Sequence, residues 1–187
     1  MWFWLIRGQF AKAAGATVIA TTSSPEKADI LKNLGADYVI NYRLDPHWGE
    51  TARKLSRNGE GVDHILEVGG QGTMTQSLHA IKMEGIISVI GILSGGGPKD
   101  DIMQTLTRLC TVRGVYVGSK EQMEEMVREV EEHDIHPVLD KEVFKLENLK
   151  EAYEYMVSAV FWGGNGVANR RWQWARKHFG KVGIKIE

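Results

Sequence analysis

Cysteine is almost absent: Cys110 stands alone among 187 residues. A single thiol can make no internal disulfide and no thiolate metal site by itself, which excludes a disulfide scaffold and points to a reducing compartment, the cytoplasm. Neither sign of charge is in excess. With 23 basic residues against 24 acidic ones the formal charge is −1, so the basic surplus of a phosphate-driven nucleic-acid binder is missing. Long apolar runs are missing too. The N-terminal run Met1 to Ile6 stops at Arg7; it is too short to span a bilayer, and no basic region or cleavage site marks it as a secretion signal. It reads as a strand remnant or a stray end, and residues 1–8 as an atypical leader. Neither a nucleic acid nor a membrane is expected as partner.

Several chemical signatures are also lacking. His47, His64, His79, His133 and His136 show no recognised metal spacing; His133 and His136 come closest, but they straddle an expected helix end before Pro137, and zinc needs three or four convergent ligands. No zinc or other catalytic metal is expected. There is no Gly-x-Ser-x-Gly elbow, no P-loop, and no Gly-x-Gly-x-x-Gly opening the first helix, the turn that lets a pyrophosphate approach backbone N–H groups. Asp63 and Glu67 lie in one expected strand, where a carboxylate more often holds a turn or faces solvent, so no catalytic residue is named.

What is present is an alternation. Twenty-one glycines against four prolines suit many tight turns between regular elements. Short apolar runs at 17–21, 37–41, 63–68, 86–92 and 112–117 are nearly continuous in Val, Ile and Leu, as strands buried on both faces of a parallel sheet are. Helical stretches separate them. Ser23 or Ser24 can cap the helix that Pro25 opens and Gly35 closes. Others are read at 47–57, 73–82, 101–110 and 121–133, the last with Met123, Met126, Val127 and Val130 on one face. The expected architecture is α/β, a doubly wound parallel sheet over residues 9–120, with the ligand at the carboxyl ends of the strands where their order reverses.

After residue 120 the pattern becomes a long helix, a short extended piece Pro137–Leu139, and a second helix carrying Leu149, Ala152, Tyr153 and Met156. Residues 121–187 therefore read as a helical appendage. Within it, residues 159–176 hold three tryptophans and three arginines and break the style, as an atypical insertion would.

Two resemblances follow from the motifs. Ile65 to Thr73, with Gly69, Gly70 and Gly72, resembles the glycine-rich first motif of S-adenosylmethionine methyltransferases, but two βα units precede it, which argues against that class. A broader match runs in order through Gln9–Ala16, Ser24–Lys27, Leu34–Tyr42, Gly61–Asp63, Glu67–Gly70, Gly91 and His178–Val182. This resembles the C-terminal, cofactor-binding part of medium-chain alcohol dehydrogenases, in the zinc-type and quinone-oxidoreductase-like subgroup.

The resemblance implies a truncated Rossmann-type sheet and hydride transfer between NADP(H) and a carbonyl, alcohol or quinone. It places Thr22, Ser23, Ser24, Lys27 and Tyr42 around the adenosine phosphate, and Val68, Gly69 and Gly70 beside the adenine ribose. Gly91 and Ile92 fall beside the nicotinamide ribose, and Val115 to Val117 beside the carboxamide. An NAD-preferring site would carry an acid at the end of the strand leading to Thr22, Ser23 and Ser24, so NADP(H) is expected over NAD(H). Relatives often pair their last strand across a two-fold axis, which implies a homodimer or pairing with a full-length homologue. The family's first strand, glycine turn and catalytic domain have no counterpart before Gln9, which implies a chain inactive in isolation, or a non-catalytic interaction module.

Overall fold

The computed structural model describes residues 2–94, 103–157 and 181–186. Helix α1 (Trp2–Ala13) opens the chain, so the apolar run expected to be a strand or a stray end is helical. Only Gly8 disfavours a helix there, by about 1 kcal/mol against alanine, and Ala11, Lys12 and Ala13 are strong helix formers. A carboxylate ties this helix to the sheet: Asp37 Oδ2 accepts the Val18 N–H at 2.7 Å and the Lys12 ammonium at 2.9 Å. The Val18 N–H, with Lys12 second, holds the Asp37 carboxyl below the usual carboxylate range.

Strand β1 (Ile19–Thr22), helix α2 (Pro25–Asn33) and strand β2 (Tyr38–Asn41) form a βαβ unit, with Ile19 opposite Tyr38 and Thr22 opposite Asn41 in parallel register. Ser24 is the cap of α2. Its Oγ accepts the Lys27 N–H at 3.4 Å, and Pro25 takes the first turn, where its missing N–H costs nothing. Gly35 leaves the helix at φ +92°, a conformation glycine adopts without strain.

The chain continues through α3 (Trp48–Leu55), β3 (Val62–Glu67), α4 (Met74–Ala80), β4 (Ile81–Val89), α5 (Met103–Arg108) and β5 (Thr111–Gly114). Strands β3, β4 and β5 make a parallel sheet in that order. The expected helix 73–82 stops at Ala80 instead: Ile81 is extended, buried to 1%, and pairs with Val62.

Alternation assigns the helices to faces. Ala20 and Val39 pack with Leu31, Leu34 and Ala36 of the α2 region. Their neighbours Ile19 and Ile40 pack on the opposite face with Ala52 and Leu55 of α3, Ala80 of α4, and Val62 and Ile65 of β3. A right-handed crossover through α2 steps from β1 to β2; one through α3, on the other face, must step back past β1. The strands are hydrogen-bonded as two sheets, β1–β2 and β3–β4–β5, joined through the cluster that Ile19 and Ile40 share with Val62 and Ile65, and the crossovers turn β1 rather than β2 toward β3.

The last part of the chain holds α6 (Lys120–Glu132), β6 (Leu139–Lys145), α7 (Leu149–Val157) and β7 (Lys181–Lys185). Ser119 and Gln122 form a reciprocal capping box on α6. The expected extended piece at 137–139 grows into β6, which pairs in parallel with β7. Among its described residues the appendage holds helices α6 and α7 and the β6–β7 pair. Asp140, buried to 6%, accepts the Tyr155 hydroxyl at 3.0 Å and the Glu142 N–H at 2.9 Å. The insertion expected at 159–176 lies outside the described residues.

Candidate functional site

The carboxyl end of β1 is a polar corner. Thr22 is buried to 1%, and its carbonyl accepts the Tyr42 N–H at 3.0 Å, which brings the first residue after β2 against the last residue of β1. Ser23 and Ser24 follow, half-buried, with Lys27 on the first turn of α2. The dipole of that helix end favours an anion, while its first N–H groups are already taken, Lys27 by Ser24 Oγ and Ala28 by the Ser24 carbonyl. Glu26 sits beside Lys27 on the same turn. Its own backbone N–H and the Ser24 hydroxyl hold its pKa below the usual range, so it is engaged with the helix start. Five of the expected residues, Thr22, Ser23, Ser24, Lys27 and Tyr42, thus share one end of the β1–β2 pair.

The loops after β3 and β4 form a second group, built around Glu67. This carboxylate ends β3, is exposed to only 3%, and has no cation beside it among the described interactions. Its Oε1 accepts the Gly69 N–H at 2.7 Å, the Gly70 N–H at 3.0 Å and the Thr73 hydroxyl at 2.6 Å, while Oε2 accepts the Ser77 hydroxyl. Glu67 therefore holds a turn. Thr73 and Ser77, to which the sequence assigned no site role, lie four apart on one face of the α4 segment, and that spacing was the available signal.

Ser94 stitches the two loops together. Its hydroxyl donates to the Gly69 carbonyl at 2.6 Å and accepts the Gly72 N–H at 2.9 Å, and its own N–H reaches the same Gly69 carbonyl at 2.8 Å. Leu93 N–H donates to the Val68 carbonyl at 3.0 Å. The glycines serve this packing. A Cβ on Gly91 would come within 2.9 Å of the Val68 carbonyl, and one on Gly70, whose φ is +82°, within 3.0 Å of Ile92 Cα. Val68, Gly69, Gly70, Gly91 and Ile92 are thus neighbours, with Ile92 79% exposed.

Val115 continues from β5, its N–H donating to the Val89 carbonyl at 2.9 Å, while Val117 is 80% exposed. The expected site residues lie at or beyond the carboxyl ends of the parallel strands β1 to β5. Asp63 lies at the opposite, amino end of β3, where its hydrogen bond with Lys82 lowers its pKa. Cys110 has its thiol pKa raised by burial, the reverse of a reactive thiolate. Among the described residues no three His, Cys, Asp or Glu side chains converge as metal ligands. His133 and His136 instead meet Glu129 and Asp134, at 3.5 and 3.0 Å.

Parallel β1–β2 and β3–β4–β5 sheets with helices on both faces and polar loops at the carboxyl ends of their strands are the features of the nucleotide-binding class of α/β domain. Residues 5–132 match the zinc-binding dehydrogenase family, and the chain belongs to it, as the C-terminal cofactor-binding domain. A zinc-type alcohol dehydrogenase-like protein of Schizosaccharomyces pombe is 42% identical over 183 residues, 96% of this chain and 47% of that protein. Among solved structures, a Sinorhizobium meliloti chain described as an alcohol dehydrogenase superposes with a TM-score of 0.76 at 37% identity, over 96% of this chain and 46% of that one. An NAD-dependent alcohol dehydrogenase superposes with a TM-score of 0.78 at 28% identity, over 98% and 48%. The chain spans just under half the length of these relatives. No helix among the described residues is long and apolar enough to cross a membrane.

Proposed function

We propose that this chain is the NADP(H)-binding portion of an alcohol dehydrogenase or quinone-oxidoreductase-like enzyme. The observation that carries the reading is the corner after β1. It presents two serines, a lysine and a helix N-terminus, and the Glu26 carboxylate is drawn to the helix start. That set suits a ribose phosphate, whereas an acid holding the ribose hydroxyls would repel one. Ser23, Ser24, Lys27 and Tyr42 take the adenosine phosphate, Val68 to Gly70 the ribose beside it, and Gly91, Ile92 and Val115 to Val117 the nicotinamide half. The fit is good on the adenosine side. On the pyrophosphate side the described residues offer no Gly-x-Gly-x-x-Gly turn. When bound, the nicotinamide supplies or receives the hydride; the residues of this chain bind and orient it.

Relatives support both cofactors: one neighbour is named NAD-dependent, and a mycobacterial protein, 25% identical, was solved with NADPH. Calorimetry with NADPH and NADH on the folded chain decides between them. Saturable binding with NADPH the tighter ligand is expected, and Lys27→Glu should remove the preference; tighter NADH, or no binding, overturns the reading. We further propose that the isolated chain turns over no substrate, since among the described residues no three His, Cys, Asp or Glu converge and Glu67 is taken up in holding a loop; NADPH-dependent reduction of a quinone or aldehyde would refute this. A homodimer through β5 is the proposed assembly. All four residues of that outer strand are exposed, and Tyr116 beyond it is 99% exposed. Sedimentation of the purified chain tests it.

A further inference from the structure

The turn between α3 and β3, Arg57–Gly59, carries an asparagine followed directly by a glycine. Asn58 stands at φ +59°, in the left-handed region that asparagine tolerates better than most residues, and Gly59 at φ +70°. Both are exposed. The Asn58 carboxamide makes no hydrogen bond among the described residues, and a Cβ built on Gly59 would meet nothing within 4 Å. A carboxamide held by nothing thus lies one bond path away from a backbone nitrogen whose own residue has no side chain to shield it.

The other described asparagines differ on this point. Asn33 is followed by Leu34, Asn41 by Tyr42 and Asn148 by Leu149, so a bulky side chain crowds each following nitrogen. Asn41 is also occupied, its Oδ1 accepting the Arg43 N–H at 3.0 Å. Around Asn58 the chain is tied at two points by Ser56. The Ser56 carbonyl accepts the Gly59 N–H at 3.0 Å, and its hydroxyl accepts the Gly61 N–H at 2.8 Å and donates to the Arg53 carbonyl at 2.6 Å. Gly61, at φ +106°, sits so close to the junction of α4 and β4 that a Cβ would come within 2.7 Å of the Ala80 carbonyl. Val62, the next residue, pairs with Ile81. The path from Ser56 to Gly61 is therefore fixed at both ends.

We propose that Asn58 is a site of self-modification by deamidation, with water as the only co-reactant. When the Ser56–Gly59 hydrogen bond opens locally, the Gly59 nitrogen gives up its proton and attacks Asn58 Cγ. A C–N bond forms, and the side-chain nitrogen takes up a proton and leaves as ammonia. Water then opens the five-membered succinimide. Cleavage between the Gly59 nitrogen and Cγ leaves an aspartate on an unchanged backbone; cleavage at the main-chain carbonyl leaves an isoaspartate, whose backbone runs through Cγ and is one carbon longer. No electron is transferred in either step. The longer form has to fit between Ser56 and Gly61, so it loosens the seat of Gly61 and the start of β3, whereas the aspartate form does not. The inference is independent of the nucleotide reading.

The test incubates the full, folded chain at mildly alkaline pH, digests it with pepsin at low pH to stop the reaction, and reads the peptides by mass spectrometry with electron-based fragmentation, which separates isoaspartate from aspartate. Asn58 is expected to convert at least fivefold faster than Asn33, Asn41 or Asn148, with isoaspartate the main product. Gly59→Ala should slow the conversion at least fivefold, and Ser56→Ala, which unties the Gly61 end of the turn, should speed it at least twofold, both with the circular dichroism spectrum kept. Chain enriched in isoaspartate should exchange its amides faster at residues 61–63, while Asn58→Asp should not. Conversion of Asn58 no faster than that of the other three asparagines would overturn the proposal. So would an Asn58 that survives in the folded chain and converts only in urea, because the turn would then protect it. Unchanged exchange at 61–63 in the isoaspartate form would overturn the link to β3.

Discussion

Replacing Glu67 removes the acceptor around which the β3 loop is folded. In Glu67→Ala the Gly69 and Gly70 N–H groups and the Thr73 and Ser77 hydroxyls all lose their common partner. A buried donor left unsatisfied costs about 1–3 kcal/mol. Thr73 can fall back on the Gly70 carbonyl, 3.2 Å away, and Gly69 is only half-buried, so Gly70 and Ser77 bear most of the loss. Together with the cavity left by the side chain, the expected destabilisation is about 3–5 kcal/mol, a large share of the roughly 5–15 kcal/mol that holds a domain folded. Glu67→Gln keeps one oxygen for the two glycines and Thr73, and the Ser77 hydroxyl can rotate to accept from the new amide, so its cost is about 1–2 kcal/mol. Urea unfolding followed by circular dichroism gives both numbers. A loss below about 1 kcal/mol in the alanine variant would refute the assignment of Glu67 as the organiser of this loop.

Three further outcomes are expected. Asp37 has a folded pKa below its unfolded one, so its contribution is present above the unfolded value near 3.9 and lost as pH falls through the folded value; melting temperature between pH 6 and pH 2 should fall less steeply in Asp37→Asn than in the parent, and parallel curves would refute the staple. Ser24→Ala should cost about 0.5–2 kcal/mol as a lost helix cap, and by removing its hydroxyl from Glu26 it should raise the Glu26 pKa in an NMR titration; an unmoved Glu26 would contradict the geometry described. Gly49→Ala drives a methyl into the Gln76 backbone and should cost about 1–3 kcal/mol in a urea melt, with no change pointing to helices that separate freely.

Much of the fold was legible because a parallel strand buried on both faces is written as an unbroken apolar run. Thr17–Thr21, Asp37–Asn41 and Asp63–Val68 each locate a strand to within two residues. Boundaries failed where tertiary pairing outweighed local pattern: Ile81 and Lys82 continue a helical stretch in sequence, but Ile81 is drawn into β4 by Val62 and a buried site. The N-terminal run failed for the opposite reason, since six apolar residues do not distinguish helix from strand. Strand β7 could not be read because Lys181–Lys185 is short and its partner β6 lies more than thirty residues away in sequence.

The candidate residues around Ser24 and around Gly70 were placed by family resemblance, and the structure sets each group after the carboxyl end of a parallel strand, β1 for the first and β3 for the second. What sequence could not supply is the side-chain bonding that shapes the loops. Ser94 is one serine among many until the Gly69 carbonyl is seen 2.6 Å from its hydroxyl.

The split sheet also bears on cooperativity. Backbone ladders normally bind a parallel sheet into one unfolding unit, but here the β1–β2 and β3–β4–β5 ladders are separate, and the load passes through side chains beneath α3 and α4. A protein so joined can open in two steps, one half exchanging its amides while the other stays protected. The α3–α4 contact at Gly49 then acts as the coupling between two foldons, and loosening it changes the number of transitions as well as their midpoint.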